Sequence, residues 1–90
     1  MRLDKYLKVS RIIKRRTVAN DACTGGRVTV NGKIAKPGAE VKPGDRLTIR
    51  FGEHIGIYEV ISTAETVRKD QADQLYRIVE EDAAAAQERA

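Results

Sequence analysis

Seven Lys or Arg side chains fall within the first sixteen residues, namely Arg2, Lys5, Lys8, Arg11, Lys14, Arg15 and Arg16, and Asp4 is the one acid among them. A run of this kind supplies neither nucleophile nor general base; its chemistry is the binding of anions. Guanidinium groups grip a phosphate bidentately, whereas an ammonium acts as a point charge. Basic residues on one exposed helix face are commonly just solvated. Their density over two neighbouring helices points further, to a polyanionic partner whose affinity falls steeply with salt as counterions are released.

The rest of the chain sharpens that contrast. The 90 residues carry a formal charge of +4, but residues 1–50 hold thirteen Lys/Arg and four Asp/Glu, net +9, and residues 51–90 hold four and nine, net −5. This reads as a polyanion-facing front and a carboxylate-rich back. A chain of this length forms one small domain, with a core but little room for a deep, dry substrate cavity. No Ser-His-Asp order or pair of buried carboxylates can be defended, and Gly25-Gly26 lacks the lysine and hydroxyl of a phosphate-binding P-loop. No enzyme activity is expected, and no small-molecule substrate. His54 stands alone and Cys23 is the one cysteine, so neither a metal site, a cofactor nor an internal disulfide is expected. The single thiol implies a reducing location. Charges at Arg2, Asp4, Lys5 and Lys8 interrupt any signal-like run, and no window is long enough to span a membrane.

The elements that must position the basic run follow from periodicity. Leu3, Tyr6 and Leu7 make an apolar stripe at helical spacing, with Arg2, Asp4, Lys5 and Lys8 on the opposite arc, for a short helix ending near Val9-Ser10. Tyr6 then belongs to the core rather than to base stacking. Val18, Ala19, Ala22 and Cys23 form a second stripe, stopped by Gly25-Gly26. Lys14, Arg15 and Arg16 gather at its start, where backbone N–H groups and the helix dipole favour an anion. From Arg27 the period changes to two. Asn31-Gly32 is the dipeptide of a type I′ hairpin, which returns through Lys33-Ile34-Ala35. Pro37-Gly38 and Pro43-Gly44-Asp45 bracket a segment around Val41; Leu47, Ile49 and Phe51 then alternate with Arg46, Thr48 and Arg50 in the clearest strand. His54–Ile61 reads as the next strand. Near the end, Ala72, Leu75, Tyr76 and Val79 fit a helix capped by Asp70, while Tyr76–Val79 fits a last strand equally well. Residues 83–90 carry no apolar stripe and are expected to fray.

The succession of a helix, a basic loop, a second helix ending in Gly-Gly, Arg27-Val28-Thr29-Val30-Asn31-Gly32-Lys33 and Val41-Lys42-Pro43-Gly44-Asp45 resembles the S4-type RNA-binding domain, or alpha-L motif. The match covers about residues 2–50. Arg2-Leu3-Asp4-Lys5-Tyr6-Leu7-Lys8-Val9-Ser10-Arg11, Ile13-Lys14-Arg15-Arg16-Thr17 and Arg50-Phe51-Gly52 are similar to the free-standing small heat-shock ribosome-associated protein group, and within it to the RqcP (YabO-like) branch. The resemblance implies an α+β fold, two N-terminal helices packed on a small, mostly antiparallel sheet. It places the RNA-binding domain at residues 1–62, a short C-terminal extension at 63–82 and a tail at 83–90. It further implies a cytoplasmic factor on large ribosomal subunits obstructed by peptidyl-tRNA, contacting ribosomal RNA and tRNA and assisting an RqcH-like partner in C-terminal alanine tailing. No membrane partner is implied.

Carried onto this chain, the expected RNA-binding residues are Arg2, Lys5, Lys8, Arg11, Lys14, Arg15 and Arg16, with Arg27, Asn31 and Lys33 extending the strip through the hairpin. Arg16 leads, as the arginine that opens the second helix. Asp4 is expected to support that face by holding basic side chains or capping the first helix. Asn31-Gly32 has the simpler reading of turn geometry, and Cys23 of core packing. The scarcity of aromatics argues for recognition of folded RNA by backbone and shape. Two other readings stay open: a protein-interaction adaptor whose basic helices only aid solubility, and a general heat-shock-type binder of structured RNA that recycles stalled large subunits.

Overall fold

The computed structural model describes residues 1–63 and 69–82. Two helices, α1 (Leu3–Val9) and α2 (Arg16–Thr24), pack on one face of a five-stranded antiparallel sheet. The strands are β1 (Val28–Val30), β2 (Lys33–Ile34), β3 (Arg46–Phe51), β4 (His54–Val60) and β5 (Tyr76–Glu81), in spatial order β2-β1-β3-β4-β5. The α+β architecture is the expected one. Residues 83–90, expected to fray, lie outside the described residues.

Leu3, Tyr6 and Leu7 of α1 are fully buried, against Ala19, Ala22 and Cys23 of α2 and the inward side chains Val28, Leu47, Ile49, Tyr58 and Val60 of the sheet. Two departures from the helical wheel matter. Asp4, placed by the wheel with the exposed bases, is buried, because Arg16 and Asn20 of α2 close over it. Val18, placed in the apolar stripe of α2, is about half exposed at 49%. It lies a quarter-turn beyond the Ala19-Ala22-Cys23 face, and the short sheet does not reach around to cover it.

The glycines end α2 as the sequence requires. Gly26 takes a left-handed φ of 75°, its N–H donating to the Cys23 carbonyl, and the Arg27 N–H donates to Ala22 in the crossed pattern of a Schellman cap. In the hairpin, Asn31 (φ 54°) and Gly32 (φ 85°) both have the positive φ of a type I′ turn. The first turn of α1 is satisfied from outside: Leu3 and Asp4 donate their backbone N–H groups to the carbonyls of Ala39 and Pro37. The Pro37-to-Val41 segment therefore fixes where α1 begins.

The C-terminal pattern resolves as a 3-10 helix, Lys69–Leu75, followed by β5, so the helix running through Val79 does not form. The Leu75 carbonyl accepts the Tyr6 hydroxyl at 2.7 Å and the N–H groups of Ile61 and Ser62, which pins the chain at the edge of β4. β4 would otherwise present an unpaired edge, and Tyr76–Glu81 satisfies it, with a register shift at Ile57/Tyr58. Tyr58 and Tyr76 then meet edge to face, with centroids 5.6 Å apart.

Gly56 sits beneath that ring. A Cβ there would lie within 2.8 Å of Tyr58 ring carbons. Gly56→Ala should therefore push Tyr58 off its site and destabilise the fold by about 1–3 kcal/mol, measurable by urea unfolding; an unchanged midpoint would show that the ring has room to move.

Candidate nucleic-acid interface

The candidate interface is built around Asp4. Its carboxylate, 2% exposed, accepts the Lys5 backbone N–H at 2.8 Å, Arg2 Nε at 3.2 Å and Arg16 Nη2 at 3.5 Å. Arg2 also approaches through Nη2 at 3.4 Å, so its guanidinium faces both carboxylate oxygens. Burial alone would push the Asp4 carboxyl up; the Lys5 N–H, Arg16, Asn20 and Arg2 together outweigh it and hold the pKa below 3.8. The two arginine side chains remain 57% and 50% exposed. One buried anion thus aligns two exposed cations, one immediately before α1 and one opening α2.

The loop between the helices displays the next set. Ile12 and Ile13 are buried, and Ser10 locks the bend by donating to the Leu7 carbonyl and accepting the Ile12 N–H. Arg11 on one side of this anchor and Lys14, Arg15 and Arg16 on the other are left exposed. Arg11 does so with a left-handed φ of 63°, unusual for a residue with a side chain. Arg15 enters α2 in extended conformation without a side-chain cap. Lys8 is exposed near the end of α1, and Lys5 is half-buried beside Arg2 along a shallow cleft with Met1, Gly38 and Glu40.

The remaining candidates fall elsewhere. Arg27 is exposed at the opposite end of α2 from Arg16, and its carbonyl accepts the Arg50 N–H at 2.9 Å, which pairs it with Arg50 instead. Lys33 is exposed on the edge strand β2. Asn31 is committed within the fold: its Oδ1 accepts the Arg46 N–H at 3.0 Å and its Nδ2 donates to Asp45 at 3.1 Å. Asp45 in turn accepts the Lys42 N–H. The Asn-Gly and Pro-Gly-Asp signatures are therefore two halves of one structural lock. Sequence reasoning missed Asn20 as a partner of Asp4 and the Ile12-Ile13 anchor of the loop. The adjacent isoleucines between basic residues were the available signal for the anchor.

Among the described residues, no group of three His, Cys, Asp or Glu side chains could hold a metal ion, and no helix is long and apolar enough to cross a membrane. Cys23 is buried, with its thiol pushed up to about 11 by burial and then by Asp4.

An α1–α2 pair laid on an antiparallel sheet, with arginines at the starts of both helices gathered on one buried carboxylate, defines a small α+β domain whose helix starts are cationic. Comparison with known proteins makes this specific. Residues 1–47 match the S4 domain family model. The chain is 55% identical over 82 residues to the RQC P-site tRNA stabilizing factor of Halalkalibacterium halodurans, covering 91% of this chain and 93% of that one. To the Bacillus subtilis protein of the same name it is 48% identical, covering 91% and 95%. The solved trimeric structure of Vibrio cholerae heat shock protein 15 superimposes with a TM-score of 0.79 at 33% identity, over 99% of this chain and 88% of that one. The chain belongs to the S4 domain family, alongside these RQC P-site tRNA stabilizing factors.

Because the folded pKa of Asp4 lies below its unfolded value, the carboxylate contributes stability that is present above pH 3.8 and lost as pH falls through the folded value. Asp4→Asn should cost about 1–3 kcal/mol at pH 7. Urea unfolding as a function of pH checks this, the gap between variant and parent closing below about pH 4; a gap independent of pH would dissociate the stability from the carboxylate charge.

Proposed function

We propose that this protein binds RNA through the exposed ends of α1 and α2, on large ribosomal subunits that retain peptidyl-tRNA after a stalled ribosome has split. The observation that carries the reading is the pair Arg2 and Arg16, held by buried Asp4 at the starts of two different helices. Phosphates are the natural ligands of such a pair. Each guanidinium keeps donors free beyond its contact with Asp4, the uncapped start of α2 adds backbone N–H groups, and Arg11, Lys14 and Arg15 surround them with positive charge. Phosphate contacts of this kind fix register on a folded RNA without reading its sequence.

The relatives named RQC P-site tRNA stabilizing factor support the ribosomal setting and tRNA as a ligand. The finer reading, a cytoplasmic factor that assists an RqcH-like protein in alanine tailing, extends this by the same resemblance. In it the protein acts by binding and holding, with no catalytic step of its own. Lys5 and Lys8 extend the phosphate-binding face along α1. Arg27 and Lys33 are peripheral members, and Asn31 acts through the hairpin that presents Lys33. Residues 1–62 carry the RNA-binding domain in this reading, and residues 63–82 the extension.

Sucrose-gradient fractionation tests the setting: the protein should migrate with large subunits, and Arg16→Glu should abolish that co-migration while Arg16→Lys retains part of it. Persistence in free fractions would refute the ribosomal setting. In a binding titration with large-subunit RNA, affinity should fall about tenfold or more between about 50 and about 200 mM salt; a flat salt response would favour a protein adaptor.

A further inference from the structure

A second concave surface lies away from the Asp4 centre, between α2 and the β3–β4 turn. It is a cleft of about 370 Å³ lined by Ile13, Val18 and Phe51 within and by Arg27, Arg50 and His54 at its rim. It adjoins a cleft of about 290 Å³ that shares Ile13, Val18 and Phe51 and adds Lys14 and Arg15. None of the residues lining either cleft is acidic. The Arg50 N–H bond to the Arg27 carbonyl joins the backbones of these two arginines, and both are exposed and line the larger cleft.

Phe51 is the notable member. The chain has four aromatic residues, and Tyr6, Tyr58 and Tyr76 are all buried, whereas Phe51 is only partly buried against the core and lines both clefts. Beside it, Val18 is 49% exposed although it stands on the helix that packs on the core. An apolar recess with a cationic rim selects a ligand that is flat and apolar in the middle and negatively charged at its ends. A nucleotide has that shape, with the base against Phe51 and Val18 and the flanking phosphates on Arg27 and Arg50 at one side and Lys14 and Arg15 at the other. The base must be unpaired, since a base within a duplex is stacked on both faces and cannot enter.

We infer that the cleft between α2 and the β3–β4 turn receives one unpaired nucleotide of the bound RNA, stacked on Phe51. This inference rests on the RNA-binding reading above and adds a recognition element that the basic helices alone lack. Phosphates on the Asp4 side would set the position of the RNA, and the cleft would select a site where a base is extruded.

The test compares a fully paired RNA hairpin with the same hairpin carrying one bulged adenosine. The protein should bind the bulged hairpin about tenfold more tightly, and the Ile13 and Val18 methyl resonances should shift only with it. Phe51→Ala and the uncharged Val18→Asn should each reduce the bulged hairpin to the level of the paired one, leaving affinity for the paired hairpin within about twofold. Val18 is exposed enough that the asparagine need not enter the core, so this variant reports on the cleft even if Phe51→Ala loosens the fold. Equal affinity of the parent protein for both hairpins, or a preference that survives both folded variants, overturns the cleft assignment alone. Failure to bind either hairpin overturns it together with the RNA-binding reading.

Discussion

A carboxylate taken out of water must be compensated, and the compensation of Asp4 organises the end of this molecule at which both helices begin. Asp4 lies in the first turn of α1, and its compensating donors come from the Lys5 backbone, from Arg2 before the helix, and from Arg16 and Asn20 on α2. The demand for donors therefore fixes the starts of the two helices against each other. It also orders two long side chains before any ligand arrives. An arginine recruited from a solvated, mobile state loses rotamer freedom on binding, whereas Arg2 and Arg16 are already restrained. The same ion contacts thus serve stability and, in the proposed function, readiness to bind.

The sheet supplies the frame that this arrangement needs. α1 begins where the Pro37–Ala39 carbonyls receive its first N–H groups, and that segment lies between the β1–β2 hairpin and the Pro-Gly-Asp turn. Asn31 and Asp45 bind those two features together. Tyr6 then ties α1 to the far end of the chain through the Leu75 carbonyl, 69 residues away in sequence. Arg2 is consequently positioned by contacts spread across most of the described chain, although it precedes the first helix.

Much of this was legible in the sequence because it depends on local rules. The ends of α2, the Asn-Gly hairpin and the alternation of β3 follow from glycine conformation and from period. The basic run was visible as such. What was not legible depends on which elements meet. A helical wheel puts Asp4 among the exposed bases, since the wheel contains no Arg16 or Asn20 to close over it. It buries Val18, since the wheel does not know how far the sheet extends. Ala72, Leu75, Tyr76 and Val79 fit a helix on spacing, yet the open edge of β4 recruits Tyr76–Glu81 as a strand. The resemblance offered Asn31 for RNA beside the simpler reading of turn geometry, and its hydrogen bonds to Asp45 and Arg46, distant in sequence, could not be read from either. Arg27 appeared continuous with the basic helices, but α2 carries it to the end opposite Arg16.

The charge asymmetry between the two halves also acquires a structural cause. An acidic docking surface would need carboxylates free to meet a partner, and several of those in the second half are engaged within the sheet. Glu59 meets Arg77 at 2.6 Å, Glu81 accepts the Tyr58 hydroxyl at 2.5 Å, and Asp82 accepts the Ile55 N–H while facing His54 at 3.6 Å. These contacts hold β5 and the residue after it against β4, and so help to close the sheet on which the helices rest. The bases of the first half are disposed differently. Arg11, Lys14 and Arg15 project from a loop anchored by isoleucines, and Arg2 and Arg16 keep donors beyond their shared anion. Among the described residues, these acids of the second half meet internal partners while these bases of the first half stay exposed, so the sum of charges understates the positive charge available at the helix starts.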